Sequence, residues 1–147
     1  MPTHSSLSVL IELATREADQ ASIRLGMAIQ AEEEAGRKLA LLEHYKENYN
    51  LAFRQNMAIG ISIWKYSNYQ VFLENLERAI ASQQEVLRRT HNHVVTEREV
   101  WQVIERKRLS YKILDEQAAQ RKLYTENKRE QKLTDEHAMR QHQIHKS

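Results

Sequence analysis

Catalysis needs reactive side chains at set spacings, and the spacings in this 147-residue chain fit none of the familiar patterns. A phosphate-binding loop takes two glycines five residues apart followed by lysine. Gly26 is followed at that distance by Ala31 and Gly36 by Leu41, so neither starts such a loop. Gly60 and Ser62 open a nucleophile-elbow pattern, but Trp64 stands where its second glycine belongs. None of the seven histidines has Glu three residues before it, which removes the di-iron bundle motif. His91 and His93, two apart on a helix, point to nearly opposite sides and cannot share a metal. His142 and His145 fit one face, but no carboxylate accompanies them, and a solvated polar tail is the simpler reading. The absence of cysteine removes disulfides, zinc-thiolate sites and thiol nucleophiles. The expectation is a non-enzymatic protein with no catalytic residue, metal or cofactor.

Two groups of residues suit binding better than catalysis. Arg106, Lys107, Arg108 and Lys112 offer positive charge to an acidic partner, although Glu105 and Asp115 flank them and favour a solvated helix face. Seven of the ten aromatic residues lie between positions 45 and 72: Tyr45, Tyr49, Phe53, Trp64, Tyr66, Tyr69 and Phe72. They read either as a plug closing one end of a helical hairpin or as partly exposed, adhesive surface, since two helices alone enclose little interior.

The elements that position these residues are helices. Only three glycines and one proline punctuate the chain, and Ala, Glu, Lys, Leu and Arg supply 68 of its 147 residues, the bias of coiled coils. A mean hydropathy of -0.72 with 29% charged residues leaves too little apolar material for a thick globular core. No apolar run approaches the ~18 residues of a membrane span, and the first ten residues lack a signal-peptide pattern, so a cytosolic protein without membrane insertion is expected. The net charge of +2 divides into -1 for residues 1–67 and +3 for residues 68–147, too mild for a nucleic-acid binder.

Alternating steps of four and three from Leu7 visit Ile11, Ala14, Ala18, Ala21, Leu25, Ala28, Glu32, Ala35, Leu39, Leu42, Lys46, Tyr49 and Phe53. All but Glu32 and Lys46 are apolar, a coiled-coil seam with the 3.5-residue period that keeps one stripe on a partner. Gly60 suits the left-handed end of that helix. Ser67 and Gln70 fit a capping box, with Tyr66 and Val71 as its staple, so a second helix is expected to start beside Asn68.

That helix carries three seven-residue columns. One runs Leu73, Ile80, Leu87, Val94, Trp101; a second runs Tyr69, Leu76, Gln83, Thr90, Glu97, Ile104, Tyr111, Ala118; a third runs Phe72, Ala79, Val86, His93, Val100, Lys107, Leu114. If the helices fold back on each other, paired residue numbers sum to about 123. The expected fold is thus all-α, an antiparallel two-helix coiled-coil hairpin with a longer second helix, forming a single domain over residues 1–147 and remaining a monomer. Helix 1 spans about residues 5–55, the turn about 56–67 and helix 2 about 68–140. The second helix overhangs from about residue 119, with five large apolar residues (Leu123, Tyr124, Leu133, Met139, Ile144) and seven basic against four acidic residues.

The segment from Asn68 to Ile80 (NYQVFLENLERAI), with Tyr45 and Tyr49 late in the first helix, Gly60 and the total length, resembles the FliJ family of flagellar type III export. The likeness is continuous over about residues 40–80 and elsewhere consists of heptads. It implies an antiparallel coiled coil similar to the central stalk of rotary ATPases. The implied partners are the flagellar export ATPase hexamer, which such proteins enter by their termini end and activate, the cytoplasmic domain of the membrane-embedded export gate, and export chaperones. The implied location is the cytoplasm, peripherally associated with the inner membrane at the flagellar base. The gate-binding patch carries over as Leu42, Tyr45, Tyr49, Phe72, Leu76 and Ala79, with Lys38 where relatives can carry an uncharged polar residue; ATPase-contact residues stay unassigned. A self-associating coiled-coil scaffold is the alternative, and a basic nucleic-acid binder the third.

Overall fold

The computed structural model of the chain describes residues 4–146, which form helix α1 (His4–Ile59) and helix α2 (Ile63–Lys146) and, among the described residues, no strand. The fold is all-α, a helical hairpin whose second helix is the longer.

The reversal is shorter than the sequence suggests. Gly60 takes φ +96°, and its N–H donates to the carbonyls of Asn56 at 3.0 Å and Met57 at 3.3 Å, closing α1 with the left-handed residue that glycine tolerates best. Helix α2 then begins at Ile63, not beside Asn68. Its cap is Ser62, whose Oγ accepts from the Lys65 N–H at 3.3 Å while its carbonyl accepts from the Tyr66 N–H at 3.0 Å. Tyr66 and Val71, expected to staple a start beside Asn68, are both exposed. Packing favours the early start: helical backbone from Ile63 onward carries the Tyr66 ring to 5.8 Å from that of Phe53, a contact that a loop through residue 67 would not hold in place.

The chain divides into two compact units, one of Asp19–Gln102 and the other of Met1–Ala18 with Val103–Ser147. In the first, α1 and α2 run antiparallel. Lys46 Nζ reaches Glu77 at 3.6 Å, and His91 Nδ1 lies 3.1 Å from Glu32, both pairs whose numbers sum to 123. Arg24 meets Glu97 at 3.5 Å, a sum of 121, and Gln83 Nε2 donates to the Ala35 carbonyl at 3.1 Å, a sum of 118. The register expected from the sequence is therefore kept within a few residues throughout this unit. Ala21, Ala28 and Ala35 of α1 are buried, as are Leu76, Ile80 and Val94 of α2.

The three columns of α2 part company here. Within this unit every member of the first two is buried or half-buried, and every member of the third (Phe72, Ala79, Val86, His93, Val100) is exposed. Spaced alternately by three and four residues, the first two columns make one seam. The third is displaced by one residue, about 100° around the helix, and turns off the partner.

In the second unit, Leu7, Ala14 and Ala18 are buried. On α2, Ile104, Glu105, Arg108, Tyr111 and Asp115 are half-buried, and from Glu116 to His145 every residue is exposed. The basic cluster is locally partnered: Arg108 pairs with Glu105 and holds its carboxyl below the usual range, and Lys107 Nζ lies 6.0 Å from the Tyr111 ring centroid.

Candidate docking surface at the helix turn

The sequence concentrates aromatic residues around the turn, and the antiparallel pairing interleaves them. The Tyr49 ring packs tilted against Phe72, with centroids 4.3 Å apart, and against Tyr69 at 5.0 Å. Phe53 meets Tyr69 edge-on, with an interplanar angle of 70°. The Tyr69 hydroxyl accepts a hydrogen bond from Asn56 Nδ2 at 2.5 Å, which satisfies the polar end of a half-buried ring. Burial, with the nearby Tyr69 second, pushes the Tyr49 phenol above its ordinary pKa of 10.0. The space enclosed by Tyr49, Asn50, Phe53, Tyr69, Gln70 and Leu73 is only about 10 Å³, room for at most a single water. Rings fill this end and leave no cavity for an organic ligand there.

Both sequence readings of the rings hold for different residues. Tyr49, Phe53 and Tyr69 form the plug, half-buried between the helices. Tyr45 remains 58% exposed and Phe72 47%, while Trp64 and Tyr66 also face outward. Physical reason limits the plug: an α1 position at the seam meets α2, and a position one residue off it, as Phe72 is, can only lean across the edge.

The six residues of the expected patch occupy one stretch of this hairpin. Leu42, Tyr45 and Tyr49 recur at helical spacing on α1, and Phe72, Leu76 and Ala79 on α2; the pairs 42 with 79, 45 with 76 and 49 with 72 share the sum of 121 also seen for Arg24 and Glu97. Tyr49 and Phe72 touch. Tyr45, Phe72 and Ala79 present surface, Leu42 and Tyr49 are half-buried, and Leu76, at 8% exposure, belongs to the seam and can act only by supporting its neighbours. Lys38 is exposed and pairs with Glu34 of its own helix at 3.5 Å.

Sequence reasoning singles out Trp64 among the turn aromatics but not its two exposed aliphatic neighbours, Ile59 and Ile63. Ile59 and Ile63 are each 86% exposed and Trp64 83%, on either side of Gly60. The available signal was their place outside both seams, next to the chain reversal. Among the described residues no group of three or more His, Cys, Asp or Glu is placed to hold a metal ion.

The family described as Flagellar FliJ protein matches residues 3–147 of this chain. Two curated relatives that bear the same description, one from Escherichia coli (strain K12) and one from Salmonella typhi, are each 29% identical to it over 140 residues, with 95% of both chains covered.

Proposed function

The chain belongs to the FliJ family of flagellar proteins, and on that premise we propose that it is a non-enzymatic component of the flagellar protein export apparatus. In this reading it binds and activates the export ATPase ring, docks on the cytoplasmic domain of the export gate through the aromatic end of the hairpin, and assists export chaperones. It works in the cytoplasm, peripherally associated with the inner membrane at the flagellar base, and enters its complexes as a monomer. The family match over nearly the whole chain carries the proposal. Two structural features support the division of labour. Exposed rings at Tyr45 and Phe72 offer adhesive surface to one partner. The α2 residues from Glu116 to His145 are exposed on every side and await a second.

The test uses two variants. Y45A/F72A should lose binding to the gate's cytoplasmic domain and lose motility while its melting temperature stays near that of the parent, because both side chains lie largely outside the seam. A chain ending at Ala119 should melt like the parent, keep gate binding and bind the ATPase more weakly, since helix without packing adds little stability. Unchanged gate binding by the first variant, or unchanged ATPase binding by the second, would refute the corresponding half of the assignment.

A further inference from the structure

Ile59, Ile63 and Trp64, on either side of Gly60, lie outside the hairpin seam, and the charge around them differs from that of the chain as a whole. Ile59 and Ile63 are 86% exposed and Trp64 is 83% exposed, with Met57 and Tyr66 each a little under half exposed beside them. From Asn48 to Leu73 there is no acidic residue, while Arg54 and Lys65 are both basic and both exposed. A chain with 20 Asp and Glu among 147 residues would ordinarily place three or four in a stretch of that length, so the exposed apolar tip sits in a locally cationic surround.

We infer that this tip docks on an anionic membrane surface, with Ile59, Ile63 and Trp64 entering the interface and Lys65 and Arg54 facing the lipid phosphates. Three arguments select lipid over other occupants. Charge complementarity is the first: acid-free cationic surface beside apolar side chains is attracted to anionic headgroups and repelled by none. The residue types are the second, because tryptophan, tyrosine and lysine next to aliphatic side chains match the layered polarity of a membrane interface. Area is the third. The three side chains offer on the order of 500 Å², short of the ~800 Å² per partner that a stable protein interface usually buries. No described helix is long and apolar enough to cross a membrane, so the contact is a shallow one. This inference rests on the peripheral membrane association proposed above and names the surface that would make it; because the test below needs lipid alone, its failure is distinguishable from a failure of gate or ATPase binding.

The experiment is binding of the full chain to vesicles of phosphatidylcholine with or without phosphatidylglycerol. Trp64 becomes the sole reporter in a W101F background. Its emission should shift to the blue and be quenched by brominated acyl chains when phosphatidylglycerol is present, and salt should weaken the effect. The variant I59S/I63S/W64S, in which only exposed side chains change, should keep its helicity by circular dichroism and sediment with these vesicles at least about tenfold more weakly. Absence of binding by the parent chain overturns the inference. So does equal binding by the serine variant, which would assign the attraction to the basic residues beyond Ala119, and so does a Trp64 shift that follows protein concentration without vesicles, which would mean that a second copy covers the tip.

Discussion

Within the 19–102 unit, the alanine stretch and the ring end are built on the same two helices and the same register, yet they solve burial in opposite ways. Ala21, Ala28 and Ala35 are almost wholly buried, but each removes little apolar area from water, and the flanks are joined by polar contacts such as Arg24 with Glu97 and Gln83 with the Ala35 carbonyl. Tyr49, Phe53 and Tyr69 each remove far more area while none is fully buried. Small side chains let backbones approach and seal; large ones stabilise and protrude. A two-helix hairpin that must bind something else therefore carries its adhesive surface where its residues are large.

The contrast can be broken by exchanging the sizes. The largest effect is expected from L76A: the side chain is 8% exposed beside the rings, and its loss should cost about 2–5 kcal/mol, read as a lower midpoint in urea unfolding. A21L, at a position with 0% exposure, should cost about 1–3 kcal/mol for the opposite reason, because the added volume forces the helices apart. If A21L proved neutral, the close approach in the alanine stretch would not be a constraint, and the comparison would fail.

A smaller effect sharpens the ring end. Because the Tyr49 phenol is held above its ordinary pKa of 10.0 by burial and by Tyr69, the folded chain keeps a proton that the unfolded chain gives up. Its contribution to stability is complete below that ordinary value and declines as pH rises through the higher folded one. Melting temperature should fall on the alkaline side, and the fall should be shallower in Y49F; identical alkaline limbs would mean that the phenol titrates as if unfolded.

The two seam residues of α1 that break the apolar pattern show how much was readable in advance. Glu32 and Lys46 interrupt the period in sequence, and they are the ones that meet His91 and Glu77 across the hairpin. All fourteen seam positions, these two included, are buried or half-buried, because a 3.5-residue period can face one partner only along one stripe. The start of α2 departs from the sequence expectation because local signals favour the wrong serine: Ser67 has Gln70 at the capping-box position and Ser62 has only Lys65, yet Ser62 caps the helix, and the added turn brings Tyr66 to Phe53.

The sequence by itself determined that the chain is helical, that it reverses at Gly60 and which stripe of α1 turns inward, since propensity, a left-handed glycine and a periodic stripe are properties of neighbouring residues. Tertiary structure alone decided that Ser62 caps α2 and that the column through Phe72, Val86 and Val100 faces solvent. The columns of an isolated helix are equivalent until a second helix lies against it, and only that contact selects which residues leave water.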